Sequence, residues 1–225
     1  MKPILWEVDA QADFMLPRGK LYVAGAEKIM PNIKRLVDHA RQGRVLLVSS
    51  ADAHQPDDPE FQHWPPHCVK GTPGAELIPE ACAARQLVTP NQRDFSFPND
   101  LGTYRQILLE KNTLDVFDNP STDKLLTQLS LSKEPYGKCS FHFFVFGVVT
   151  EYCVFRTADG LLRRGHAVSI VEDAIQSLDA AKGREILDKL QSQGAGLVTT
   201  ERALALITSD ALHSGEENLH KAAGN

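Results

Sequence analysis

The sequence predicts a single doubly wound α/β domain, in which helices flank a mainly parallel central sheet. The runs ILWEVD (4–9) and RVLLVSS (44–50) are apolar without alternation, which indicates strands buried on both faces. Segments with helical spacing separate such runs, as the βαβ units of a parallel sheet require. No repeat or low-complexity linker divides the 225 residues, so we expect one domain over 1–225.

Strands and helices are expected to alternate along the chain. The first helix is predicted within 26–43, because four apolar residues there have helical spacing and a glycine follows as a stop signal. The later predicted elements are strands at 106–111, 140–149, 166–173 and 196–200, and helices at 121–130, from about 152, and at 179–193. Ser121 and Asp179 are the expected helix caps, and about 208–225 should form a frayed tail.

The stretch from Asp52 to Asn99 is rich in proline, histidine and glycine and has little periodicity. It therefore predicts a long loop. A loop of this length inside a compact domain usually serves a function.

Composition excludes several classes of partner. The chain is 42% hydrophobic and 24% charged, with a net charge of -5 and no basic cluster, which argues against nucleic-acid binding through phosphates. No stretch approaches the roughly 20 apolar residues that a membrane-spanning helix needs. Acidic residues interrupt the amino terminus where a signal peptide would be apolar, so we expect a cytoplasmic protein whose four cysteines are thiols.

Reactive side chains fall at the ends of four predicted strands. Asp9 follows the first strand, Asp52 and His54 the second, Lys111 the third and Cys153 the fourth. Ligands of open parallel sheets bind beyond the carboxyl ends of the strands. We therefore expect these side chains to meet at one edge of the sheet.

Cys153 has the setting of a nucleophile, although most free cysteines are simply small core residues. A helix amino terminus would lower the pKa of its thiol. Asp9 could take the thiol proton and Lys111 could hold Asp9 ionised, while the backbone amides of Val149 and Cys153 could form an oxyanion hole. The alternatives are that Asp9 is a cap or an ion-pair partner and that Lys111 is a solvated surface charge.

The loop offers a possible metal site. Asp52 and His54 are two residues apart and can point the same way on extended backbone, and His67 lies on a segment stiffened by two prolines. Such oxygen and nitrogen donors suit zinc, manganese or iron. Glu60 could supply a fourth oxygen, whereas His63 and Asp57 are expected to be bystanders.

Five segments resemble the isochorismatase-like cysteine hydrolases and, within them, the nicotinamidases most of all. The resemblance covers most of 4–207. Its segments are VDAQADF (8–14), DAH…WPPHCVKGTPGAEL (52–77), EKNTLDVFDNP (110–120), FGVVTEYCVFRTADGLLRRGHAV (146–168) and VEDAIQSLD (171–179).

The resemblance implies a catalytic triad, a metal site and a substrate pocket. The triad would be Asp9, Lys111 and Cys153. The metal ligands would be Asp52, His54 and His67, with Glu60 as a fourth ligand. They would bind one divalent ion, of which zinc is the first choice. A cis peptide bond before Val149 would turn that amide into the oxyanion hole. Phe14 and Trp64 would sandwich the substrate ring, with Phe117 and Val148 in the same pocket, unless Phe14 is ordinary core packing.

The function expected from the resemblance is hydrolysis of nicotinamide to nicotinate and ammonia through a thioester, by a homo-oligomer. Asn112, the pair Val116–Phe117 and the insert at 84–104 depart from the family pattern and bear on the substrate. The alternatives are another amidase or ureido hydrolase, an isochorismatase, which would leave the metal ligands unexplained, and a catalytically silent binding protein.

Overall fold

The structure is a computed structural model that describes residues 1–131 and 141–209. Its centre is a seven-stranded sheet in the order β3-β4-β2-β1-β5-β6-β7, and every strand pair is parallel. The strands are β1 Lys2–Val8, β2 Leu46–Asp52, β3 Gln86–Thr89, β4 Gln106–Lys111, β5 Phe141–Val148, β6 Ala167–Gln176 and β7 Gly196–Val198. The predicted parallel sheet is confirmed.

Helices connect the strands and flank the sheet. They are α1 Ala12–Met15, α2 Met30–Arg41, α3 Pro120–Leu131, α4 Phe155–Arg163 and α5 Ala180–Ser192, and 200–209 are also helical. The strand order runs outward from β1 in both directions, toward β2 and β4 on one side and toward β5 and β6 on the other. The crevice where the order reverses is the usual ligand site of such sheets.

The middle of the sheet is the core of the molecule. Trp6 on β1 and Phe143 on β5 are fully buried and pack edge to face, with ring centroids 5.6 Å apart. The next residue on β1, Glu7, is an acid whose side chain points to the opposite face of the sheet and is also fully buried. Burial raises the pKa of Glu7 to about 8, although the backbone N–H of Ala10 donates to its Oε1 at 2.5 Å.

Two expectations about local structure are wrong. Ser121 does not cap a helix: α3 begins one residue earlier, at Pro120, and the side chain of Asn119 accepts from the Ser121 N–H at 2.8 Å. The stretch 52–99 is not all loop, since β3 and several short 3₁₀ turns lie within it. Asp179 is confirmed as a cap, because its carboxylate accepts from the N–H groups of Ala181 and Lys182.

The described part of the chain has no helix with the length and apolar character needed to cross a membrane. Of the predicted tail, everything after residue 209 lies outside the described residues, as does residue 140 of the predicted strand 140–149.

Candidate active site

The structure brings Asp9, Lys111 and Cys153 together at the carboxyl edge of the sheet. Lys111 is the last residue of β4, and its Nζ lies 2.9 Å from Asp9 Oδ2 and 3.6 Å from Cys153 Sγ. Asp9 directly follows β1 and has a left-handed backbone (φ 51°) that turns the chain out of the sheet. All three side chains are buried, so Lys111 is not a solvated surface charge, whereas Asp9 is an ion-pair partner of Lys111, as one of its alternatives stated.

Lys111 also contacts Asp52, so one ammonium group serves two carboxylates. Burial opposes the charge of Lys111, but Asp52 and Asp9 outweigh it and raise its pKa well above the usual value. Burial likewise works against ionisation of Asp52, yet Lys111 and two histidines hold its pKa far below the usual range. Burial dominates at Asp9, whose pKa is raised. Asp9 is therefore the more basic of the two carboxylates.

The pKa of the Cys153 thiol is raised, contrary to the expectation that a helix amino terminus would lower it. Burial raises its pKa well above the ordinary value, Lys111 offsets part of this, and Asp9 and Asp52 raise it further. The helix around Cys153 also differs from the prediction, because Thr150–Val154 form a π-helical turn before α4 begins at Phe155. The thiol can thus become a nucleophile only if a neighbouring base takes its proton, and Asp9 lies in that position.

Val148 and Val149 line the cavity beside the thiol, and the peptide bond between them is cis, as the resemblance implied. The role of the Val149 and Cys153 amides as an oxyanion hole stays a prediction.

Next to the triad, Asp52, His54 and His67 form a buried group whose potential ligand atoms all lie within 4.8 Å of one another. Asp52 Oδ2 lies 3.8 Å from His54 Nε2 and 3.7 Å from His67 Nε2. His67 Nδ1 lies 2.8 Å from the carbonyl oxygen of Pro65, which can only accept, so Nδ1 carries the proton and Nε2 is free to bind.

Two further observations show that this group fits a divalent metal. His54 Nε2 is buried and makes no hydrogen bond within the described ranges, while His54 Nδ1 lies 3.1 Å from Asp58 Oδ2. Buried nitrogen without a partner is costly in an apoprotein and is satisfied by a metal. The carboxylates of Asp9 and Asp52 also share the single ammonium group of Lys111, so the ligand group lies in an acidic cluster, which suits a cation.

Glu60 lies at the edge of this group. It is half-buried and lines the same cavity as Asp52 and His67, but it does not belong to the tight ligand group. Its role as a fourth ligand stays a prediction.

The cavity above Cys153 has about 420 Å³ of empty space, its mouth included. Phe14, Trp64 and Val148 line it as expected. Phe117 does not belong to the lining: its ring packs 6.3 Å from that of Trp6, and the guanidinium of Arg164 lies 3.7 Å from its centroid. The remaining wall comes from residues that the sequence analysis did not single out, namely Leu21, Val23, Leu114, Tyr152 and Leu178.

Sequence reasoning also missed residues that support the site. Gln11 holds the end of β2: its Oε1 accepts from the Asp52 N–H at 2.7 Å, and its Nε2 donates to the Asp52 carbonyl at 2.8 Å. Asp58 faces His54, and Ser50 donates to Asp9. Gln11 lies within the quoted segment 8–14, but nothing in the pattern of one sequence distinguishes a supporting polar residue from an ordinary one.

Comparison with known proteins identifies the family of the chain. The model of the Isochorismatase domain matches residues 4–96 and 83–202. A nicotinamidase/pyrazinamidase of Mycobacterium tuberculosis is 26% identical over 205 residues, covering 85% of this chain and 95% of that protein. A nicotinamidase of Saccharomyces cerevisiae is 24% identical over 216 residues, covering 83% and 92%.

A solved structure agrees in fold. The pyrazinamidase of Pyrococcus horikoshii in complex with zinc superposes with a TM-score of 0.68 at 25% identity, covering 88% of this chain and 99% of that one. These matches confirm the resemblance read from the sequence.

Proposed function

The chain belongs to the isochorismatase family and is a hydrolase that acts on amides; we propose that its substrate is nicotinamide, converted to nicotinate and ammonia through a thioester. The observation that carries the proposal is the contact of Lys111 Nζ with both Asp9 and Cys153 beneath an aromatic-walled cavity. A thiol, a base and a cation within contact distance are the groups that acyl transfer through sulfur requires.

The reaction begins with proton transfer from Cys153 to Asp9. The sulfur attacks the carboxamide carbon, and the developing oxyanion accepts from the amides of Val149 and Cys153. Asp9 returns the proton to the departing nitrogen, so ammonia leaves and an acyl-cysteine remains. Water then attacks the thioester carbon while Asp9 takes its proton; the carbon–sulfur bond breaks, nicotinate leaves, and Asp9 returns the proton to the Cys153 sulfur. Lys111 keeps the charge of this buried group balanced as the proton moves.

The cavity suits a small planar ring. Phe14 and Trp64 line it, and the Trp64 ring is braced edge to face by Tyr152 with centroids 5.7 Å apart. Aromatic walls favour a pyridine ring by stacking or edge contact. We expect Val148 to border the carboxamide.

Asp52, His54 and His67 would hold one divalent metal, zinc before manganese or iron, with Glu60 or water as a further ligand. Bound there, the metal would supply a Lewis acid for the ring nitrogen and for water.

The test is ammonia release from nicotinamide by wild type, Cys153→Ala and Cys82→Ala. Cys82 is a free cysteine elsewhere in the chain, so its replacement is the matched control. We expect wild type and Cys82→Ala to release ammonia and Cys153→Ala to release none. Metal-loaded wild type that is inert on nicotinamide but active on a carbamoyl substrate would make the protein a ureido hydrolase instead. An inert protein with a Cys153 that resists mild alkylation would be a silent relative.

Metal content tests the ligand set directly. We expect His67→Ala to lose stoichiometric metal by elemental analysis, whereas His63→Ala, an exposed neighbour, keeps it. We also propose that the protein is a cytoplasmic homo-oligomer. Size-exclusion chromatography with light scattering would test whether it assembles.

A further inference from the structure

Ser50, on β2, is joined to Asp9 by two hydrogen bonds. The Asp9 N–H donates to the Ser50 carbonyl at 3.2 Å, and the Ser50 hydroxyl donates to Asp9 Oδ1 at 2.7 Å. Both residues are fully buried. The second bond is charge-assisted when Asp9 is ionised, and such bonds are the stronger ones.

This arrangement makes the two carboxylate oxygens of Asp9 unequal. Oδ1 is engaged by Ser50, whereas Oδ2 makes no hydrogen bond in the portion of the chain that the structure describes and lies 2.9 Å from Lys111 Nζ. Lys111 Nζ in turn lies 3.6 Å from Cys153 Sγ, so Oδ2 and the thiol contact the same ammonium group.

We propose that Ser50 is a positioning residue for the reaction: by holding Oδ1 it fixes the rotation of the Asp9 carboxylate and presents Oδ2 as the oxygen that takes the Cys153 proton. Rotation about the last bond of an aspartate side chain is soft. Nothing else among the described residues donates a side-chain hydrogen bond to Oδ1. Without the hydroxyl, only the contact of Oδ2 with Lys111 restrains the rotation of the carboxylate, and the orientation that proton transfer needs is less populated. The inference rests on the proposed role of Asp9 as base.

The chain provides a matched control on the neighbouring residue. Ser49 is equally buried on the same strand, but its side chain points to the opposite face, where its Oγ accepts from Gln106 Nε2 at 2.8 Å. Ser49→Ala therefore removes the same hydroxyl from the same strand and breaks a buried hydrogen bond without touching Asp9. Ser50→Thr keeps the hydroxyl at the site.

The experiment measures kcat and KM for nicotinamide, together with the rate at which iodoacetamide labels Cys153, read by peptide mass spectrometry. We expect Ser50→Ala to lower kcat about 10–100-fold with KM within about 2-fold, and to slow labelling about 5-fold or more. Ser49→Ala should leave both within about 2-fold, and Ser50→Thr should recover kcat to within about 3-fold of wild type.

Several outcomes would overturn the assignment. Equal losses in Ser50→Ala and Ser49→Ala would make Ser50 a structural residue only, as would a slow Ser50→Thr. An unchanged Ser50→Ala would show that Asp9 needs no orienting partner. If wild type releases no ammonia from nicotinamide, the proposed substrate fails, and the labelling rates of the three variants still decide the role of Ser50.

Discussion

Glu7 predicts how the stability of this protein depends on pH. Its carboxyl group is fully buried in the middle of the sheet, and its Oε2 has no hydrogen-bond partner among the residues described. Burial is the main cause that raises its pKa from 4.5 to about 8, and nearby Asp9 adds to the effect. A buried acid of this kind is neutral in the folded protein at neutral pH but ionised in the unfolded chain.

The linkage has a definite sign. Because the folded pKa is the higher one, the folded state binds the proton more tightly, and the free energy of unfolding falls as pH rises from about 4.5 to about 8. A tenfold difference in proton affinity corresponds to about 1.4 kcal/mol. The loss is therefore about 1.4 kcal/mol per pH unit inside this window and on the order of 5 kcal/mol in total.

Glu7→Gln should remove this dependence. Glutamine keeps an oxygen to accept from Ala10 and cannot ionise, so we expect the variant to be more stable than wild type by several kcal/mol at pH 9. This advantage should shrink to about 2 kcal/mol at pH 6 and disappear below about pH 4.5. Urea unfolding at pH 6, 7.5 and 9 measures the difference, and Glu185→Gln, on the exposed face of α5, is the control. The reasoning is refuted if Glu7→Gln keeps the pH slope of wild type, or is the less stable protein at pH 9.

Three further predictions concern stability in urea. Lys111→Met should lower the free energy of unfolding by about 3–5 kcal/mol because it leaves two buried carboxylates without their cation. Lys70→Met, which breaks an exposed pair, should lower it by less than about 1 kcal/mol, and similar losses in the two variants would contradict the buried cluster. Gly147→Ala should cost about 3 kcal/mol, since a Cβ there would lie 2.1 Å from the Val8 carbonyl oxygen and the backbone has φ 119°. Gly165 also has a positive φ, but no atom lies near the position of an added Cβ, so Gly165→Ala should cost only about 1 kcal/mol. Asp179→Ala should cost about 1 kcal/mol through loss of the α5 cap, and no change would argue against that cap.

Much of the fold could be predicted because buried parallel strands have a simple signature. The continuous apolar runs at 4–9 and 44–50 correspond to β1 and β2, and the strand-to-helix alternation after residue 106 corresponds to the remaining inner strands and helices. Strand β3 was missed, since it has only four residues at the margin of the sheet and is mostly not buried, so no apolar run marks it. The helix at 200–209 was also missed.

The site was predictable to the extent that chain direction controls it. Strand ends of a parallel sheet share one edge, so Asp9, Lys111 and Cys153 could be placed together from their positions alone. Rotation about a helix axis and the packing of neighbours cannot be read in this way. That is why Phe117 was expected in the cavity but packs against Trp6, and why the raised pKa of the Cys153 thiol, which depends on burial, was expected to be lowered.

The strand order has an evolutionary consequence. The reacting groups follow four adjacent inner strands, β4, β2, β1 and β5, and none follows a marginal strand. A strand outside this set nevertheless contributes to the opening, because Leu178, just after β6, forms part of the cavity wall. Changes in the outer strands and their loops during evolution can therefore alter the substrate pocket while the reacting groups at the inner strand ends stay in place.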